Sequence, residues 1–208
     1  MRIIVNGTER ARQELLQEGL KQGADIQFAT SIKSFLEYKG SDAYIDLSFN
    51  NDEKELAILK RLEGLVIINS VTNILSETHA SFIRINAWPG FLGSIVEASC
   101  LREELKTKTE LVFEQFNKKV EWLPDEPGFI TPRVISMIIN EAYIAVEKGI
   151  STRAEIDEAM KLGTAYPFGP FEWALNIGIA NIVALLSRLG NEKSQYKPAA
   201  LLVQEALS

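Results

Sequence analysis

The chain has 208 residues, of which 46% are hydrophobic and 24% charged, and its 22 Lys and Arg against 28 Asp and Glu give a formal net charge of -6. This acidic balance argues against sequence-independent binding to nucleic acid or to an anionic membrane, since both need a basic surface. One cysteine, Cys100, and one histidine, His79, exclude an intrachain disulfide and metal sites built from several Cys or His side chains. The N-terminal residues do not resemble a signal peptide, and apolar runs stay below the roughly 18–20 residues of a membrane span. We therefore expect a cytoplasmic protein without a metal.

The first half of the chain alternates between strand and helix patterns. Residues 65–69 (LVIIN) form a continuous apolar run, which is typical of a parallel strand buried on both faces. The predicted strands cover residues 2–6, 25–30, 43–49, 65–69, 82–88, 95–98 and 119–123, and the predicted helices cover residues 8–22, 31–38, 51–62, 71–78 and 105–117. Strands separated by helices indicate βαβ units and a mostly parallel sheet.

The pattern changes at residues 124–128 (PDEPG), after which only helices are predicted. Residues 133–148 are apolar nearly all round, which predicts a buried helix able to pack against a partner subunit. Thr152 and Glu155 form a capping box at the start of the next helix. The predicted fold is therefore an α/β domain over residues 1–125 with a Rossmann-like, mostly parallel sheet, followed by an all-α domain over residues 126–208.

The helical half carries an ordered string of motifs that resembles a known family. The motifs are Gly128-Phe129-Ile130, Arg133, Asn140-Glu141-Ala142, Glu147-x-Gly149, Ile156-Asp157-x-Ala159-Met160-x-x-Gly163 and Pro167-x-Gly169-Pro170-Phe171-Glu172. This string resembles the C-terminal domain of the 3-hydroxyacyl-CoA dehydrogenases. The first half resembles the Rossmann domain of the same family in its order of elements, in Ile68-Asn69-Ser70, and in residues 82–89 (FIRINAWP), which are similar to the family segment Phe-x-Gly-Leu-His-Phe-Phe-Asn-Pro.

The resemblance implies the NAD-dependent oxidation of 3-hydroxyacyl-CoA to 3-ketoacyl-CoA in fatty-acid metabolism. In the family a His is the general base, a Glu orients it, and a Ser and an Asn bind the reacting oxygen. The helical domain contributes to the acyl-CoA cleft and forms a dimer interface. The implied partners are thus an acyl-CoA-like small molecule and a second copy of the chain, with no nucleic acid and no membrane.

The catalytic positions implied by the resemblance are mostly replaced. Asn86 stands where the family has its His, and an amide has no proton-accepting pKa near neutrality. Pro132 stands in place of the Asn and has no side-chain donor. The family's Ser falls on Val71, or on Thr72 if the loop shifts by one residue. Glu97 occupies the family's Glu position, either as a retained catalytic residue or as a structural one.

The turn after the first predicted strand (NGTERA) also departs from the family, because a dinucleotide-binding turn needs glycines beside the pyrophosphate. Ala11 can serve as the third glycine position. If Gly7 is the first, a carboxylate, Glu9, stands at the second and meets the phosphates with like charge. If the register shifts by one residue, Asn6 and Thr8 replace glycines.

The second predicted strand ends in Phe-Ala-Thr, without the acid that would hold the ribose hydroxyls. Arg10 either holds a phosphate or lies exposed on its helix. The candidate cofactor contacts, with NAD as the implied cofactor, are Gly7, Thr8, Arg10, Ala11 and Asn69.

These replacements leave two interpretations. One is an NAD-dependent 3-hydroxyacyl-CoA dehydrogenase with weak or no activity, in which His79, seven residues before Asn86, is either a substitute base or a surface or capping residue. The other is a non-catalytic relative, a pseudoenzyme that binds acyl-CoA or acts as a dimeric scaffold, alone or paired with an active paralogue. Because base, oxygen-binding and turn residues are replaced together, we favour the second.

Overall fold

The computed structural model of the protein describes residues 1–191 and 193–207. The chain divides into two compact units, and the division falls between Phe129 and Ile130. The division lies four residues after the boundary expected at residue 125. Each unit is described by itself below.

The first unit is built on a seven-stranded sheet with the strand order β2-β1-β3-β4-β5-β6-β7. Strands β1 to β5 are parallel, β6 runs antiparallel to β5, and β7 is parallel to β6. The strands are β1 (Arg2–Asn6), β2 (Asp25–Phe28), β3 (Ala43–Asp46), β4 (Leu65–Asn69), β5 (Ile83–Ile85), β6 (Ile95–Ser99) and β7 (Lys119–Trp122). The predicted mostly parallel sheet is confirmed. Its strand order reverses between β1 and β3, the kind of switch point outside which α/β proteins bind ligands.

Three α-helices and three 3-10 helices connect the strands. They are α1 (Glu9–Leu16), α2 (Glu53–Leu59), α3 (Lys106–Glu114) and the 3-10 helices Ile32–Glu37, Leu75–Glu77 and Glu103–Leu105. Side chains alternate along each strand between two apolar layers. One layer packs α1 and α3 against residues such as Ile3, and the other packs the first two 3-10 helices and α2 against residues such as Ile4.

Several predicted elements are shorter than expected, each for a local reason. The helix predicted to residue 22 ends at Leu16, because Gly19 takes a left-handed conformation (φ 77°) and Leu20 is 44% exposed rather than buried. The helix predicted over 71–78 is only a 3-10 turn, since the carbonyls of residues 71 and 73 accept hydrogen bonds from Arg84. The helix predicted over 31–38 is likewise a 3-10 helix. The strand predicted to residue 88 ends at Ile85, because the side chain of the next residue, Asn86, accepts a hydrogen bond from the backbone N–H of Trp88.

The second unit consists, in its described residues, of helices. They are α4 (Thr131–Glu147), α5 (Arg153–Thr164), α6 (Pro170–Ile177), α7 (Ile179–Gly190), the 3-10 helix Ser194–Tyr196 and α8 (Ala200–Ala206). Helix α4 contacts the other four α-helices and is the centre of the unit. Its burial within the single chain is one-sided: Ile139 is fully buried, whereas Val134 is 53% exposed, so the expected packing against a partner subunit stays a prediction. Among the described residues no single helix has the length and hydropathy to cross a membrane, and only the pair α6 and α7, bent by 97°, meets those criteria together.

Gly64, before β4, lies so close to neighbouring residues that a larger side chain would clash with them. A Cβ atom there would lie 2.5 Å from the carbonyl oxygen of Ser41 and 3.0 Å from Cε2 of Tyr44. We expect Gly64→Ala to lower the free energy of unfolding by about 1–3 kcal/mol, the usual cost of overpacking. Urea denaturation measures it, with Gly93→Ala as the control because a Cβ at Gly93 meets no atom within 4 Å. Equal effects of the two substitutions would contradict the prediction.

Candidate functional site

The predicted site residues of the first unit collect along one edge of its sheet. Asn6, Asp46 and Asn69 end β1, β3 and β4, and Asn86 directly follows β5. Because parallel strands end at a common edge, these polar side chains stand in a row, and Glu97 of antiparallel β6 faces the last of them. The sequence predicted three of these residues, Asn69, Asn86 and Glu97, as site residues.

Asn86 is held at both ends of its amide. Its Nδ2 donates to Oε2 of Glu97 at 3.0 Å, and its Oδ1 accepts from the backbone N–H of Trp88 at 3.2 Å. The backbone N–H of Asn86 also donates to the carbonyl of Glu97 at 3.0 Å, and the residue is 1% exposed. The pairing of this position with Glu97 is therefore present, but the group that Glu97 orients is an amide, which accepts no proton near neutrality.

Asn69 joins three neighbouring strands. Its Nδ2 donates to the carbonyl of Leu47 at 3.2 Å, and its Oδ1 accepts from the N–H of Ala87 at 3.0 Å. The amide thus satisfies backbone groups that follow β3 and β5. This arrangement favours a structural role for Asn69 over the cofactor contact expected from the sequence.

Asp46 is a buried carboxyl group at the switch point between β1 and β3, and the sequence analysis missed it. One oxygen accepts from Nδ2 of Asn6 at 2.9 Å and from the N–H of Ser48 at 3.1 Å, whereas Oδ2 is buried with no hydrogen-bond partner among the described residues. The residue is 1% exposed. Burial raises the pKa of Asp46 to about 6, and the nearby charge of Glu55 adds to the rise. Its signal in the sequence was an acid ending an apolar strand.

The turn after β1 is closed by its own residues. Oγ1 of Thr8 caps α1 by accepting from the N–H of Ala11 at 3.3 Å. Glu9 accepts from Gln13 at 3.1 Å, and Arg10 forms an ion pair with Glu14 at 3.1 Å along the same helix. The predicted cofactor contacts of this turn are thus engaged within α1.

Gly7 precedes that helix and packs against the strand beside it. A Cβ at Gly7 would lie 3.0 Å from Cβ of Leu47, so the side of the turn that faces β3 is filled.

At the end of β2, Nη2 of Arg12 donates to the carbonyl of Ala29 at 2.6 Å, and its guanidinium lies 5.1 Å from the ring centre of Phe28. A cation therefore covers the strand end where a dinucleotide-binding fold places an acid.

The loop after β4, which contains Val71 and Thr72, is tied to a fully buried arginine that sequence reasoning also missed. Arg84 on β5 donates through Nη1 to the carbonyls of Ser70, Val71 and Asn73 at 3.0, 3.3 and 3.2 Å. These bonds fix the backbone of the loop that would carry the family's Ser. Arg84 stands where the resembling family segment has a glycine, and a charged residue inside an apolar strand was the signal that could have found it.

Arg84 also holds the end of the first unit. Its Nε lies 2.7 Å from Oδ1 of Asp125 in a buried ion pair, and Nη2 donates to the carbonyl of Glu126. The guanidinium stacks 4.2 Å from the ring centre of Phe129. The residues around the division of the chain are therefore anchored to β5.

His79 lies away from this edge. It precedes β5, so it belongs to the amino edge of the sheet, whereas Asn86 follows the carboxyl end of the same strand. Its Nδ1 accepts from the N–H of Ser81 at 3.4 Å, and partial burial lowers its pKa. The position favours the capping interpretation over a substitute base.

The second unit contains Pro132, buried in the first turn of α4, where a missing N–H costs nothing. Motif residues of this unit bind its helices to one another. Oδ1 of Asp157 accepts from the N–H of Phe171 at 2.8 Å, and Nδ2 of Asn140 donates to the carbonyl of Lys197 at 3.0 Å. These contacts indicate that the motif residues of the second unit mainly stabilise the packing of its helices.

Comparisons with known proteins place the second unit in a family. Residues 128–207 match the model described as 3-hydroxyacyl-CoA dehydrogenase, C-terminal domain. The chain is 35% identical over 125 residues to 3-hydroxyadipyl-CoA dehydrogenase of Escherichia coli K12, a match covering 59% of this chain and 26% of that one. It is 33% identical over 113 residues to a probable 3-hydroxybutyryl-CoA dehydrogenase of Bacillus subtilis, covering 53% and 39%. The matches thus span about a quarter to two fifths of these relatives.

The fold is shared with solved enzymes over nearly the whole chain. The crystal structure of (S)-3-hydroxybutyryl-CoA dehydrogenase from Ralstonia eutropha superposes with a TM-score of 0.74 at 21% identity, covering 98% of this chain and 92% of that one. At this identity the likeness concerns the fold. Together these comparisons confirm the fold predicted from the sequence and the predicted resemblance of the helical half to this family.

Proposed function

Since residues 128–207 belong to the 3-hydroxyacyl-CoA dehydrogenase C-terminal domain family, we propose that the chain is a dimeric acyl-CoA-binding member of this family whose own site has weak or no hydride-transfer activity. The observation that carries the proposal is the amide of Asn86, which is bonded to Glu97 in the position of the catalytic base. Oxidation of a hydroxyl group requires a group that takes its proton as the hydride leaves, and Asn86 provides none.

The residues around the first turn do not fit NAD. A pyrophosphate needs backbone N–H groups at the helix start, but Thr8 already caps α1 and Glu9 adds a negative charge there. The buried carboxyl group of Asp46 stands at the neighbouring strand end and adds an acceptor where an anion would lie. The turn also lacks the glycines that a pyrophosphate needs beside it. At the end of β2, the cation of Arg12 stands where an acid would hold the ribose hydroxyls. These features support the absence of tight NAD binding.

The second unit supports the binding and dimerisation part of the proposal. It keeps the family's framework and exposes large apolar side chains, among which Leu162 and Leu175 are 80% and 76% exposed. A contiguous exposed apolar surface marks interaction sites in proteins, and these two leucines are the proposed contacts of such a surface. The proposed occupants are an acyl-CoA and a second copy of the chain, in 3-hydroxyacyl-CoA metabolism.

A second candidate function is the full NAD-dependent dehydrogenase activity. The retained Glu97 at the family's Glu position favours it, because a carboxylate orienting the base is part of the family's site. The two candidates differ in what they bind, so binding of NAD separates them.

We expect the melting temperature of the purified full chain to stay unchanged in about 0.1–1 mM NAD and to rise in acetoacetyl-CoA, since a ligand that binds the folded state stabilises it by mass action. A rise of several degrees with NAD would support the second candidate instead. Unchanged melting with both ligands would contradict acyl-CoA binding.

The same proposal predicts that Asn86→His does not produce NAD-dependent oxidation of 3-hydroxybutyryl-CoA, because the turn and Pro132 remain unsuited to the reaction. The measurement is NADH absorbance, with Asn86→Ala as the matched control that removes the bond to Glu97 without adding a base. Turnover by the His variant alone would contradict this prediction and the inference that the first turn does not fit NAD.

A further inference from the structure

The end of β2 carries a cation where a dinucleotide-binding fold carries an acid. In such folds the acid accepts hydrogen bonds from the ribose hydroxyls of adenosine, and an arginine in its place accommodates a phosphate on that ribose. Residues 26–36 contain no Asp or Glu. Instead, Nη2 of Arg12 on α1 donates to the carbonyl of Ala29, the residue after β2, at 2.6 Å. This strand end therefore offers donors for an anion rather than an acceptor for hydroxyl groups.

Arg12 is fixed at this strand end and keeps a donor without an acceptor. The residue is half-buried, and its guanidinium lies 5.1 Å from the ring centre of Phe28. Within the described part of the chain, its buried Nε has no hydrogen-bond partner and its guanidinium forms no ion pair. Glu9, one turn earlier on α1, accepts from Gln13. A buried donor without an acceptor is unfavourable, which distinguishes Arg12 from the hydrated cations of the surface.

The turn after β2 adds hydroxyl groups that a ligand can reach. Thr30 and Ser31 directly follow Ala29, and both are exposed. Oγ of Ser34 donates to the carbonyl of Ser31 at 2.7 Å and lies 3.4 Å from Oγ1 of Thr30, which fixes the turn. Because the carbonyl carbon of Ala29 is bonded to the nitrogen of Thr30, the guanidinium of Arg12 lies beside the first residue of this turn. A cation and two exposed hydroxyl groups thus lie at one strand end.

We propose that the end of β2 binds a phosphate monoester on the ribose of an adenosine nucleotide, with Arg12, Thr30 and Ser31 as its donors. Hydrogen bonds between a guanidinium and a phosphate are charge-assisted and about twice as strong as neutral ones. The 2′-phosphate of NADP and the 3′-phosphate of coenzyme A share this chemistry. The 2′-phosphate would add a ligand class beyond the proposed function. The 3′-phosphate, which rests on the proposed function, would mark where the nucleotide of the acyl-CoA is held.

Titration calorimetry of the full chain with adenosine 2′,5′-bisphosphate, adenosine 3′,5′-bisphosphate and AMP tests the proposal. The three ligands share adenine, ribose and the 5′-phosphate, so differences in affinity report on the ribose phosphate. We expect one bisphosphate to bind at least about tenfold more tightly than AMP, and its identity assigns the 2′ or the 3′ position. If neither binds more tightly than AMP, the proposal is wrong. That result is separate from the melting experiment with acetoacetyl-CoA, which tests the proposed function.

Arg12→Met should weaken binding of the preferred bisphosphate by at least about tenfold and leave AMP binding nearly unchanged. Because Arg12 also binds the carbonyl of Ala29, Thr30→Asp is a second variant, in which an exposed residue brings a carboxylate beside the phosphate. We expect the same selective loss from it. Arg61→Met is the matched control, since it removes the same charge from an exposed residue after α2. Equal loss of bisphosphate and AMP binding in the first two variants, or selective loss in the control, would contradict the site.

Discussion

Replacing Arg84 with methionine is expected to lower the free energy of unfolding by about 3–5 kcal/mol, the usual cost of removing one partner of a buried ion pair. The side chain of Arg84 is 0% exposed and that of Asp125 is 9% exposed, so water cannot replace the lost contacts. Methionine keeps most of the apolar volume but leaves Asp125 and four backbone carbonyls without their shared donor.

Urea denaturation of the purified chain gives the measurement, and Arg2→Met is the matched control. Arg2 forms an ion pair with Asp25 at 3.2 Å, but both side chains are about half exposed. Exposed pairs contribute about 0–1 kcal/mol, so the control should change little. A loss below about 1 kcal/mol for Arg84→Met would show that the buried pair is not the anchor of the loop after β4.

The order of the elements could be predicted because burial leaves a periodic trace in the sequence. The run at residues 65–69 identified β4, and the motif string from Gly128 onward identified the helical unit and its family. Short segments were harder to predict: residues 31–38 and 71–78 have helical composition but form 3-10 helices. In the second segment, Arg84 takes up the backbone carbonyls of residues 71 and 73. Propensity does not include such contacts.

Three residues at the carboxyl edge of the sheet were named from the sequence, but the hydrogen bonds that they form could not be predicted. Strand ends place Asn69 and Asn86 at one edge, which the alternation of elements already implied. Whether an amide there faces a ligand or a neighbouring strand depends on residues such as Leu47 and Ala87, which lie up to 22 residues away. Arg84 was missed for the same reason, since its partner Asp125 is 41 residues further along the chain.

Asp46→Asn is expected to make the stability of the protein less dependent on pH. The pKa of Asp46 in the folded state is raised to about 6 from the ordinary 3.8, so the folded protein binds this proton more tightly than the unfolded chain. The wild-type contribution is therefore fully favourable below about pH 4 and is lost as the pH rises to about 6. Across that window the variant should gain about 2–3 kcal/mol relative to the wild type.

The change with pH is the informative quantity, because the amide at position 46 also changes the hydrogen bonds to Asn6 and Ser48 by an amount that does not titrate. Urea denaturation between pH 4 and pH 7 measures it for both proteins. Asp25→Asn is the control with the opposite sign, since hydrogen bonds from Gln27 and Arg2 lower the pKa of Asp25, and its loss should matter more as the pH rises. Parallel stability curves for Asp46→Asn and the wild type would contradict the prediction, because they would show that burial does not make ionisation of Asp46 unfavourable. The carboxyl ends of β1 and β3 would then tolerate a bound anion better than the burial of Asp46 implies.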